Sequence, residues 1–268
     1  MTRANCEPYT IRNTARNHHY VPQFYLKGFP DPNLQNEQLH VIDKVDRRHF
    51  VTIPRNIASQ RDFNRINLPD PSLDKIERHL AQIESQVAPV LTSIAKTGTL
   101  PEDDIDMASL SVFVAILSAN NPQIRNRLIN RDRETSRQMM QTLVASQEVY
   151  ESRLSDLGMG DQIGYEAARA FVESGRYTID IEDPGGYYLA VVFYSLDKAV
   201  LPLFSTMDWS LVIAEEGETD FICSDLPAVL FRVVNTILPA PYETHSMGYT
   251  TESLELTMPL TRTLQRRL

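Results

Sequence analysis

Cysteine is nearly missing: Cys6 and Cys223 are the only two in 268 residues, and they lie far apart. No CxxC pair exists, which excludes a cysteine zinc knuckle and points to two free thiols in a reducing compartment. The phosphate-cradling glycine loops are absent too. Neither GxxxxGK[ST] nor GxGxxG occurs, and HExxH and GxSxG are also missing. P-loop kinases, dinucleotide enzymes, zincins and serine hydrolases are thereby disfavoured, and no nucleotide cofactor is expected. The longest apolar runs, such as Ala108 to Ala119, fall well short of the roughly 20 residues of a membrane span and contain serines. Met1 to Thr14 has no apolar stretch of the signal-peptide kind, so a cytoplasmic protein with no membrane partner is expected. Excess positive charge is lacking as well: the net charge is -9 and the pI near 5.2, so a globally basic nucleic-acid footprint is excluded, though a local patch is not.

What remains is an ordinary globular composition, 42% hydrophobic and 23% charged, on a chain long enough for a substantial core. Residues 1–16 read as a flexible arm and 17–268 as one domain. Pro22 forces Val21 to be extended and starts a short helix to Lys27, ended by Gly28. Leu39 to Lys44 and His49 to Ile53 read as a hairpin, and Pro54 to Ser59 as one helical turn. From Ser72, a plausible N-cap, apolar residues recur at helical spacing to Gly98, with a kink expected at Pro89. Further helices are expected from Pro101 to Asn120, from Gln123 to about Leu154, and around Asp161 to Ser174. Tyr177 to Glu182 reads as a strand, Pro184-Gly185-Gly186 as a break, and Tyr187 to Phe204 as a buried helix.

The character then turns to β. Trp209 to Ala214 and Asp220 to Cys223 flank Glu216-Gly217-Glu218, a hairpin signal. Ala228 to Val234 and Ser253 to Met258 are further strands. The order short β, long α, β predicts an α+β fold. In it the N- and C-terminal strands share a mostly antiparallel sheet, and a multi-helix insert at about 72–204 packs on one side.

The densest stretch of titratable groups and aromatics is Asn17-His18-His19-Tyr20-Val21-Pro22-Gln23-Phe24-Tyr25-Leu26-Lys27-Gly28-Phe29. Adjacent strand residues face opposite ways, so His18 and His19 do not form one chelating pair. The segment resembles the first motif of HNH-type nucleases, with Tyr20 in place of an aliphatic residue. That likeness implies His18 as a metal ligand and His19 as the base that deprotonates an attacking water. Completing a metal set requires Asp43 or Asn56, or Asp225 from the strand-ending turn Ser224-Asp225. His40 and His49 lie on the predicted hairpin strands. A divalent ion (Mg, Mn or Zn) and a nucleic-acid or other phosphodiester substrate follow from this reading.

Other groups have plainer readings. Glu77 and Glu84, seven apart on the first long helix, read as part of a solvated face; the alternative buries Glu84 against an arginine such as Arg125. The arginines from Arg125 to Arg137 read as a salt-bridged face. The competing function is a non-catalytic module: the His-His-Tyr-Val-Pro segment is then a structural plug, and the helical segment binds a protein partner.

A second resemblance covers residues 17–264. The opening His-His-Tyr-Val-Pro-Gln-Phe-Tyr-Leu with Gly28-Phe29 is similar to the start of the domain of unknown function 4238 family. Arg61-Asp62-Phe63 resembles its Asp-Phe-Tyr block, with Asn64 departing from the Tyr. Ile76-Glu77 through Glu84 resembles its paired-glutamate helix. Pro122 and Arg125, Trp209, Ser224-Asp225-Leu226-Pro227-Ala228 and Met258-Pro259-Leu260-Thr261 resemble later motifs, with Leu226 replacing an Asn. The family is uncharacterised, so the resemblance implies no particular activity.

Overall fold

The computed structural model describes residues 16–66, 75–158, 163–214, 220–232 and 254–267. The opening motif forms strand β1 (Asn17–His19) and a single helical turn, α1 (Gln23–Leu26). Pro22 is extended at φ -60°, ψ 141° and launches α1, as its ring requires. Strand β1 pairs antiparallel with β4 (Ser59–Arg61), with His18 opposite Gln60. Between them lies the expected hairpin, β2 (Leu39–Asp43) with β3 (Arg48–Thr52), followed by a 3-10 turn at Pro54–Asn56.

Helix α2 (Lys75–Thr97) packs against α3 (Asp104–Ala119). Gly98 ends α2 at φ +64°, a left-handed conformation that a side chain disfavours. The Asp103 side chain caps α3 by accepting from the N–H groups of Ile105 and Asp106. The expected N-cap Ser72 falls outside the described residues.

The long helix expected from Gln123 to Leu154 is two helices, α4 (Pro122–Leu143) and α5 (Gln147–Asp156). Ser146 accepts from Val149 N–H and starts α5 afresh, a capping signal that the arginine-rich pattern masked. With α6 (Tyr165–Glu173) these enclose a small separate core of Val144, Tyr150 and Val172.

Two further expectations are corrected. Tyr177 to Glu182 forms no strand. Pro184-Gly185-Gly186 does not break the chain but opens α7 (Pro184–Ser195), because Asp183 caps it and Pro184 is tolerated at the first helical position. That helix continues through a π segment (Leu196–Val200) into α8 (Leu201–Phe204), where Pro202 lacks the N–H of a regular ladder. By length and composition this 21-residue helix is apolar enough to cross a membrane, a length that counting uninterrupted apolar runs missed. Leu196, Val200 and Phe204 are nevertheless buried in the main core, whereas Tyr194 stays exposed.

The class is α+β with antiparallel pairing throughout the described strands, but the N- and C-terminal strands lie in separate sheets. The C-terminal sheet has the order β5-β8-β7-β6, from β5 (Ser210–Ile213), β6 (Val229–Arg232), β7 (Leu254–Pro259) and β8 (Leu264–Arg267). Asp220 to Cys223 is not a strand; β5 pairs with β8 instead, and Glu216-Gly217-Glu218 lies outside the described residues. The two ends of the chain do meet, without a ladder. Tyr25 O–H donates to the Pro259 carbonyl, Arg262 N–H donates to Gly28 O at 3.1 Å, and an added Cβ at Gly28 would come within 2.9 Å of Leu260 O. One core joins α1, α2, α3, the π segment and β7 through residues such as Val21, Tyr25, Phe113 and Met258.

Candidate functional site

Strand alternation holds at the histidine pair. His18 points inward and is buried; His19 is half-buried. The His18 Nδ1 accepts the Asn64 backbone N–H at 2.9 Å, which places the proton of a neutral ring on Nε2. His19 Nε2 donates to the Arg55 carbonyl at 3.3 Å, leaving Nδ1 as the lone-pair nitrogen of its neutral form.

Asn64 is the link between the opening motif and helix α2. It is 1% exposed, and its Nδ2 donates to Glu77 Oε2 at 2.9 Å. Its own Oδ1 is buried without a hydrogen-bond partner. Turning the amide over would aim that oxygen at the Glu77 carboxylate, so the Glu77 contact fixes the orientation. A buried orphan acceptor costs about 1–3 kcal/mol.

His19, Tyr20, Asn64, Glu77, Glu84 and Asn120 line one small cavity of about 20 Å³, whose apolar wall includes Leu80, Phe113 and Leu117. That volume holds roughly one water or one ion. The apolar wall explains the electrostatics: burial pushes the Glu84 carboxyl up to about 7, and the charge of Glu77 adds to the rise. The solvated-face reading of this pair is thus corrected. Arg125 does not pair with Glu84 either. Its guanidinium lies against the rings of both Phe63 and Tyr188, at 4.6 and 5.2 Å from their centroids. Its Nε and Nη2 are buried without hydrogen bonds, and desolvation lowers its pKa.

The remaining predicted ligands lie as follows. Asp43 serves the hairpin turn, accepting from Val45 and Asp46 N–H and pairing with Arg48 at 3.4 Å. Asn56 is exposed and donates to Thr52 Oγ1, one residue beyond the carbonyl that holds His19. Asp225 is exposed, and its backbone carbonyl accepts from buried Asn121 Nδ2 at 2.7 Å. Its charge reaches the opening motif: after burial, it is the second cause that raises the Tyr20 pKa. Burial, with Asp225 contributing, also pushes the Cys223 thiol up to about 12, which removes it as a nucleophile. Among the described residues no three His, Cys, Asp or Glu side chains form a group able to hold a metal ion.

Sequence reasoning did not bring Asn64, Glu77 and Glu84 to this cavity. The signal for Glu84 was its place on the paired-glutamate helix. For Asn64 the only signal was its departure from a Tyr.

The molecule is thus an α+β protein in which an N-terminal His-His-Tyr-Val-Pro segment and a helical carboxylate pair share a cavity. The chain belongs to the family described as Protein of unknown function (DUF4238), whose model matches residues 17–265. No curated protein and no solved structure matches it.

Proposed function

We propose that the cavity of His19, Asn64, Glu77 and Glu84 is the centre of a divalent-metal-dependent hydrolase acting on phosphodiesters. The observation that carries this reading is that Glu77, Glu84 and Asn64, whose Oδ1 is buried without a hydrogen-bond partner, all line one ion-sized space. An all-oxygen donor set suits a hard cation such as Mg²⁺ or Mn²⁺, which relieves the repulsion between Glu77 and Glu84 and satisfies the amide oxygen. His19, at the same cavity with Nδ1 unprotonated, is the general base for the attacking water. His18 is the positioning residue that holds Asn64. The cavity is too small to enclose a nucleotide, so the substrate lies across its mouth.

Hydrolysis of single-stranded DNA, RNA and bis-p-nitrophenyl phosphate with Mg²⁺ or Mn²⁺ tests this. Wild type should cleave at least one, and His19→Ala and Glu84→Gln should each lose on the order of 10²-fold or more. No metal-dependent turnover by wild type, or equal turnover by both variants, rejects the proposal.

A second reading is supported by His18. Its burial and its bond to Asn64, with Val21, Tyr25 and Leu26 in the core, suit a structural plug in a protein-binding module. Unchanged metal-free partner binding by the helical segment in His19→Ala would favour it.

A further inference from the structure

One stretch of strand-like sequence joins no sheet. Residues 176–181 run without helix, turn or bend between Gly175, at φ +63° just past α6, and Asp183, which caps α7. Exposure alternates along the stretch as it does along a strand. Tyr177, Ile179 and Ile181 are half-buried, while Arg176, Thr178, Asp180 and Glu182 are exposed.

Side chains hold the stretch in place. The Tyr177 ring stacks on Phe171 of α6 at 5.2 Å, and Asp180 Oδ1 accepts from Arg133 Nη2 of α4 at 2.6 Å. No N–H or C=O group of residues 177–182 makes a hydrogen bond to any of the described residues. Such groups need a partner, and a strand edge without one is a template for another chain.

The charges select the occupant. Arg176 and Glu182 lie three residues either side of Ile179, and neither makes an ion pair among the described residues. Two copies of the stretch paired antiparallel about Ile179 set Arg176 of each opposite Glu182 of the other. Tyr177 then meets Ile181, Thr178 meets Asp180, and Ile179 meets its own equivalent, so like faces like along the apolar side and opposite charges meet on the other. Centring on Asp180 instead would oppose two carboxylates, and centring on Thr178 would leave Glu182 without a cation.

We propose that residues 176–182 are a dimerisation strand, paired antiparallel with the same stretch of a second copy about a two-fold axis at Ile179. The ladder missing within one chain is formed between two. The inference is independent of the cavity of Glu77 and Glu84.

Sedimentation velocity of the full chain over a concentration series tests it. A single strand pair is a small interface, so a reversible dimer is expected at high micromolar protein. Arg176→Glu and Glu182→Arg each convert two attractive pairs into repulsive ones and should each weaken the dimer on the order of tenfold. An equal mixture of the two variants again sets Glu opposite Arg at both positions and should dimerise like wild type, as should the double variant. Thermal melts establish that each variant is folded. A monomer at every concentration up to millimolar rejects the proposal. Wild-type dimerisation by both single variants rejects it too, because the dimer then uses another surface. Failure of both the mixture and the double variant to recover overturns the register.

Discussion

Removing the His18 ring leaves the buried Asn64 N–H without its acceptor and loosens the residue that holds Glu77. His18→Ala should therefore cost about 1–3 kcal/mol in urea unfolding, even in the absence of metal. Glu84 has a different signature. Below about pH 4.5 it is protonated in both folded and unfolded chains. Between there and about pH 7 the unfolded chain releases the proton while the folded chain keeps it, so stability falls as pH rises through this window. The loss, reduced by the residue's partial solvent access, is ~1–3 kcal/mol. Glu84→Gln should abolish it and melt higher than wild type at pH 8. Added Mn²⁺ should raise the melting temperature of wild type at pH 8 and leave that of Glu84→Gln unchanged. Neither residue's environment was legible locally: His18 acquires its role from Asn64, 46 positions away, and Glu84 from the apolar wall of α3.

At the scale of elements, termini were legible where a side chain closes them. Pro22 and Gly98 act on their own neighbours, and the hairpin at residues 39–52 follows from two strands and a turn that Asp43 caps. Gly98→Ala should cost about 1 kcal/mol in thermal or urea unfolding, since φ +64° is strained for alanine and its Cβ would meet the Ile213 side chain at 3.4 Å. The division of α4 from α5 at Ser146 was hidden because the helical pattern runs through it. Tyr177 to Glu182 has strand composition but no partner strand among the described residues, and a strand without a ladder does not form.

For the molecule as a whole, β8 closes the C-terminal sheet between β5 and β7. Arg262, just before it, ties the sheet to the opening motif through Pro30 O and Gly28 O and also pairs with Asp220. Deletion from residue 262 onward should cost on the order of 3–5 kcal/mol and hasten proteolysis around β5, as limited digestion would show. The sequence by itself determined the α+β class, most helices and the extended-then-helical course of the His-His-Tyr-Val-Pro segment, because these rest on periodicity, capping and proline geometry, which act over a few residues. Tertiary structure alone decided the sheet partners, the burial of Glu84, and the meeting of His19, Asn64, Glu77 and Glu84 at one cavity. Those depend on which distant surfaces exclude water together, and neighbouring residues carry no record of that.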